Sequence, residues 1–195
     1  MKKVLLFLLI PFTLMMAQDF NHRPATGLFM SVGVGPRFPV GDFSENQNIG
    51  IGLDLELAYT NTNFLPVFVF GNLGYMNFPG KQGFYRDSEY SSLTTNILGV
   101  NGGARYYLPP FIDDIVLLMP VLEVSASIAY LEKGHVFKID AGKANFTENN
   151  FKTGFKISAG FSMFIMDVMA SYNYLHNNQF VALDMKVRIP IFVEM

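Results

Sequence analysis

From Leu28 to the end of the chain, apolar residues return at every second position, the period of a half-buried β-strand rather than a helix. The clearest case is Ile51 to Tyr59. Ile51, Leu53, Leu55, Leu57 and Tyr59 share one face, and Gly52, Asp54, Glu56 and Ala58 share the other. Lys152 to Ile165 repeats it, with Phe155, Ile157, Ala159, Phe161, Met163 and Ile165 opposite Lys152, Gly154, Lys156, Ser158, Gly160 and Ser162. The last segment sets Val181, Leu183, Met185, Val187, Ile189 and Ile191 against Ala182, Asp184, Lys186 and Arg188. Four weaker runs share the period, through Leu28–Val34, Leu98–Tyr106, Leu122–Tyr130 and Val168–Tyr174. Phe64 to Met76 is apolar on both faces, so its facing stays open.

Eight strands result, separated by segments rich in Gly, Asn, Pro and charge. Connections at 36–49, 77–92 and 131–151 are long; those at 60–64 and 166–167 are short, that at 108–114 is moderately short, and 175–180 forms the last. Long connections at one end and short ones at the other, with an even strand count, characterise bacterial membrane barrels.

Charge decides which face meets which medium. The apolar phase of these strands carries no charged residue, and one Lys or Arg there would cost ~2–4 kcal/mol at mid-bilayer. The other phase carries Asp54, Glu56, Glu123 and Asp184 against Arg105, Lys152, Lys156, Lys186 and Arg188, among Gly, Ser, Ala and Asn. Small residues and both signs of charge suit the inside of an eight-stranded barrel, just wide enough for side chains. Tyr59, Tyr106, Tyr107 and Phe192 at one end, with Tyr75, Tyr130 and Tyr174 at the other, fit two interfacial girdles. The expected fold is therefore all-β, an eight-stranded antiparallel up-and-down transmembrane barrel.

Composition agrees. Half of the 195 residues are hydrophobic and only 15% are charged, against ~25% in soluble domains, yet past the first residues no apolar run reaches the ~18 residues of a spanning helix. Lys2 and Lys3, the apolar stretch Val4–Met16 and the small Ala17 before Gln18 read as a cleaved export signal. The expected organisation is thus a signal at 1–17 and one barrel domain at 18–195. There is no cysteine, so neither a lipoprotein anchor nor a disulfide is available, and the weak acidic excess argues against nucleic acid as a partner.

The chain resembles the small outer-membrane β-barrel proteins of the OmpA/OmpX/OmpW kind. The resemblance rests on Ala17-Gln18, on Val32-Gly-Val-Gly-Pro-Arg-Phe-Pro-Val-Gly-Asp-Phe43, and on the two-residue period through Val181 to Phe192. It implies a bacterial outer-membrane location, termini in the periplasm, and outer-membrane lipid and the outer-membrane assembly machinery as partners. Such proteins often end on an aromatic residue that this machinery reads; this chain departs from that, ending Ile191-Phe-Val-Glu-Met195, with Phe192 as the candidate substitute.

Chemistry is sparse. No phosphate loop or zinc-ligand spacing is present, and His22, His135 and His176 are scattered, so no metal or cofactor is expected. Tyr172-Asn-Tyr-Leu-His-Asn-Asn-Gln179 faintly resembles the His-x-Ser-Asn segment of outer-membrane lipid A deacylases. Asn178 stands where the nucleophilic serine belongs, so the segment reads as a polar turn and no catalytic residue is assigned. The expectation is a non-enzymatic barrel for surface binding or envelope integrity. Asp54, Glu56, Arg105, Glu123, Lys156, Asp184, Lys186 and Arg188 would fill its lumen as a paired network. An extracellular ligand would meet loops 77–92 and 131–151, with Phe84, Tyr85, Arg86 and Tyr90 as candidate contacts. The alternative is a small OmpW-like channel or carrier for small or apolar solutes.

Spin labels at Leu55, Ile157 and Val187 in a bilayer are expected to be relaxed by lipid-soluble quenchers, and labels at Asp54, Lys156 and Lys186 to be shielded from them. The reverse pattern would mean that no barrel of this facing exists.

Overall fold

The computed structural model describes residues 26–61, 65–110 and 118–194. The expected signal at 1–17, His22 and Phe64 lie outside the described residues. In chain order the elements are β1 (Thr26–Pro39), a short helix α1 (Phe43–Asn46), β2 (Gly50–Asn61), β3 (Leu65–Pro79), helix α2 (Gln82–Arg86), β4 (Tyr90–Tyr107), β5 (Leu118–Phe137), a 3-10 turn (Ile139–Ala141), β6 (Phe146–Met163), β7 (Met166–Leu175) and β8 (Phe180–Glu194).

Each strand pairs antiparallel with its sequence neighbours, and β1 pairs with β8 to close the ring. Closure removes the two edges that an open sheet would present, which hydrocarbon cannot satisfy. Eight strands in sequence order form the up-and-down barrel expected from the two-residue period.

Facing follows the sequence pattern. Leu53, Leu55 and Leu57 on β2, Val124 and Ile128 on β5, Ile157 on β6 and Val187 on β8 are exposed on the outer wall. Asp54, Glu56, Glu123, Lys156, Asp184 and Lys186 are buried between them. β3 resolves its open facing: Val69, Leu73 and Tyr75 point out, while Phe70, Asn72, Met76 and Phe78 are buried inside.

The strands run further than their alternation suggested. The expected connection 36–49 shrinks to 40–49 because β1 continues through Arg37 to Pro39. Pro36 passes for a strand breaker, yet here the β1–β8 ladder runs to Val34↔Met185 and resumes at Arg37↔Ala182, leaving the proline nothing to donate to. The expected loop 77–92 is reduced to 80–89, so Tyr90 opens β4 instead of lying in a loop. Most of the expected loop 131–151 is strand, paired from Leu131↔Asn150 to His135↔Phe146, and only 138–145 connects β5 to β6. Its polar residues read as loop because a hairpin standing clear of lipid has no apolar phase to show. The turn expected at 166–167 falls at 164–165, and Asp167 belongs to β7.

These lengths exceed what a bilayer needs. The 20 residues of β5, at ~3.3 Å each and tilted ~45°, rise about 45 Å, against an apolar band of ~25 Å. Its unbroken run of outward apolar positions ends at Ile128 and Tyr130, and Glu132 and Gly134 follow, so the end of β5 and the start of β6 stand above the girdle.

β1 and β8 approach closely at Gly35, where a Cβ would overlap the carbonyl oxygen of Leu183, a backbone atom that cannot swing away. A Cβ at Gly71 meets nothing. Gly35→Ala is expected to cost ~1–3 kcal/mol in urea unfolding from lipid, as overpacking does, and Gly71→Ala close to nothing. Equal midpoints for both would refute the close approach.

Candidate functional site

The lumen is packed with charge in three tiers. Nearest the loop end, Arg37 on β1 reaches Asp54 on β2 at 2.5 Å and Asp184 on β8 at 2.6 Å. In the middle, Arg105 on β4 meets Glu56 at 2.7 Å and Glu123 at 2.6 Å. Lys186 approaches Glu56 at 2.8 Å, and Lys156 approaches Glu123 at 3.3 Å. Nearest the termini, Arg188 is paired with Asp167 and lies over the Tyr107 ring, 5.0 Å from its centroid. Neutral groups fill the gaps: Asn101 donates to Asn72 at 2.8 Å, and Ser127 donates to Asn101 at 2.6 Å.

All eight lumen residues singled out in the sequence face this interior; seven are buried and Arg188 is nearly so, its side chain 11% exposed. Two members escaped the sequence reading. Arg37 was hidden by the prolines on either side of it, and Asp167 by its place in an apparent turn. Counting either residue in its strand's two-residue register would have found it, because Arg37 continues the phase of Ser31 and Asp167 that of Ser171. With them the described lumen holds five acids, Asp54, Glu56, Glu123, Asp167 and Asp184, and five bases, Arg37, Arg105, Lys156, Lys186 and Arg188. Tyr107, read from the sequence as a girdle residue, instead turns inward beneath Arg188 and against Phe68 at 4.9 Å.

Above the charged tiers sits an apolar cap. Met76, Phe78, Ile97, Leu131, Leu175 and Phe180 are buried together at the loop end, and α1 lowers Phe43 into them. Phe43 meets Phe78 edge-on at 4.9 Å, and Phe78 meets Phe180 at 5.4 Å. The α1 segment is held by backbone bonds from Val40 to Gln179, Asn48 to Pro79 and Lys81 to Asn46. Below the cap, a cavity beside Arg37, Asp54 and Asp184 holds about 20 Å³.

Over the cap lies a second cavity, of about 270 Å³. Its walls are the α1 segment, Thr95 on β4, the upper hairpin of β5 and β6, and the turn 176–179. That turn is the segment resembling a deacylase motif. Asn177 adopts a left-handed backbone (φ 60°), the Asn178 amide bonds to Leu175 O at 2.8 Å, and the Asn178 side chain accepts from Lys152. Beside the cavity and above the girdle, His135 stacks on Phe146 at 4.3 Å and contacts Glu148 at 3.5 Å. Burial holds its imidazole below the usual pKa, and Lys133 acts in the same direction against Glu148. At neutral pH the ring is therefore mostly uncharged.

The loop aromatics largely pack on one another. Phe84 stacks on Tyr90 at 5.3 Å, and Tyr90 stacks on Phe137 at 4.7 Å. The Tyr85 hydroxyl is taken by the backbone of Leu93, accepting at 3.0 Å and donating at 3.2 Å. Of the four residues proposed from sequence, only Arg86 is exposed. The other three are half-buried: Phe84 and Tyr85 build the loop, and Tyr90 packs against it from the start of β4.

No protein-family model matches the chain, and no curated protein matches it. Solved structures do. Neisserial surface protein A aligns over 86% of this chain and 99% of its own, with a TM-score of 0.50 at 14% identity. The N-terminal β-barrel domain of Pseudomonas aeruginosa OprF covers 85% and 99% (TM-score 0.47, 15% identity), and Ail, the attachment invasion locus protein of Yersinia pestis, 86% and 100% (0.45, 13%). The fold is that of the small eight-stranded transmembrane barrels of bacterial outer membranes.

Arg37→Met would strand Asp54 and Asp184, and removing one partner of a buried pair costs ~3–5 kcal/mol. Urea unfolding from lipid should show that loss, whereas Lys143→Met, which breaks only an exposed pair with Glu89, should leave the midpoint unchanged. Indistinguishable midpoints would mean that the Arg37 tier is not closed.

Proposed function

We propose that this chain is a non-enzymatic outer-membrane barrel with a closed lumen, holding a binding surface on the outside of the cell at its loop end, with both termini in the periplasm. The observation that carries the reading is the filling of the lumen: five acids against five bases, roofed by Phe43, Phe78 and Phe180. The cavity beside Arg37, below that roof, has room for about one water, in keeping with a lumen closed to larger solutes. Buried charges in a narrow barrel must be paired, and pairing across strands locks the tiers in place. The elements that rise above the lipid band, the β5–β6 hairpin and the α1 and α2 segments, supply surface for a partner. Export through a signal at 1–17 and insertion by the assembly machinery complete the proposed life cycle.

Planar-bilayer recording tests the closed lumen. The purified barrel is expected to be electrically silent at neutral pH. Reproducible, well-resolved conductance steps would overturn the reading in favour of a small channel or carrier.

A further inference from the structure

Resting on the reading that the loop end is a binding surface, we propose that the cavity over the apolar cap is a saccharide site that takes one neutral sugar unit. Two side chains on its wall ask for a ligand. Gln47 and Thr95 are each 1% exposed, and neither the Gln47 amide oxygen and nitrogen nor the Thr95 hydroxyl has a hydrogen-bond partner among the described residues. Buried polar groups are nearly always satisfied, and leaving them bare is costly. Three unpaired atoms around one cavity fit groups that a ligand completes.

The chemistry of the wall selects the ligand. An amide both donates and accepts, as a hydroxyl does, so Gln47, Thr95, Asn150 and Asn178 suit a molecule whose every polar group is also donor and acceptor. The charges present, Asp42 and Glu148 against Lys133 and Lys152, cancel. An ionic ligand of either sign would meet two like charges as well as two opposite ones, and a neutral polyol meets no such penalty. Glu148 already accepts from Asn150 at 2.6 Å, and Lys152 already donates to the His176 carbonyl at 2.6 Å, so these charges are held in place before binding. Phe43 and Leu131 supply the apolar floor on which the C–H face of a sugar ring can lie. At about 270 Å³ the cavity sits just below the ~300–1,000 Å³ of drug-sized sites, large enough for one sugar ring and a few waters.

The test uses the full chain purified from membranes, in nanodiscs, with saturation-transfer NMR and titration of methyl glucoside, methyl galactoside and N-acetylglucosamine. At least one of these should bind saturably, and more tightly than glucuronate, glucosamine or inorganic phosphate. Gln47→Leu and Thr95→Val should each weaken binding about tenfold, the usual loss when a buried hydrogen bond is withheld. Because its amide atoms are unpaired without ligand, Gln47→Leu should leave the thermal midpoint unchanged or raise it; weaker binding with a lowered midpoint would assign Gln47 a merely structural role and overturn its part in the site. An oligosaccharide ending in the preferred sugar should compete if the natural source is a glycan chain, and fail to compete if it is the free sugar. No saturable binding by any neutral sugar, tighter binding of a charged probe, or parental affinity in both variants would overturn the proposal. Conductance is recorded separately, so a silent barrel that binds no sugar refutes the ligand class and leaves the closed scaffold standing.

Discussion

In hydrocarbon there is no water to take up a bare N–H or C=O, and each one left without a partner costs several kcal/mol. A β-sheet can live there only if its first strand finds its last. Here β1 and β8 meet over Thr26↔Glu194 to Pro39↔Phe180, and the rest of the molecule depends on that seam. Closing the ring forces side chains to alternate between lipid and a narrow interior. It makes the outer wall apolar, and it sends the charged residues of the spanning strands into a space that water barely enters.

Such crowding explains the shape of the charge tiers. Buried ion pairs are weak sources of stability, because desolvation offsets much of their attraction. Their effect here lies in register. Arg37 ties β1 to β2 and β8, Arg105 ties β4 to β2 and β5, and Lys186 ties β8 to β2 across the lumen. A one-residue slip of any of these strands would turn its charges toward lipid, at ~2–4 kcal/mol for each Lys or Arg at mid-depth. The tiers thus select one pairing among several that the backbone alone would accept.

The spanning part of the molecule was legible in the sequence because lipid imposes a period of two on it. Leu55 and Ile157 could be assigned outward, and Asp54 and Lys186 inward, from alternation together with the absence of charge on the apolar phase. Legibility ended where the lipid ended. Residues 131–137 and 146–151 are strand, yet with solvent outside there is no apolar phase to mark them. Arg37 and Asp167 sit at the limits of that signal, next to Pro36 and the turn at 164–165, and so were missed. The mouth was the least legible part. Gln47 and Thr95 come together only because α1 folds over the barrel, a tertiary event that no local spacing announces. Tyr85 shows the converse: a loop aromatic that looks like a contact in sequence is spent on the backbone of Leu93.

The rim of the barrel is uneven in height. β4, β5 and β6 run 18 to 20 residues, while β7 has only 10 and turns straight into β8 at 176–179. The mouth therefore has a tall wall on one side and a low sill on the other, and Asn177 and Asn178 sit on the sill. A molecule entering over the sill travels along the membrane plane, through the headgroup layer, and a molecule descending from the medium has to clear the wall. If the cavity is the saccharide site proposed above, encounter over the sill is a two-dimensional search, and a sugar tethered at the surface of the same membrane has a concentration advantage over one free in solution.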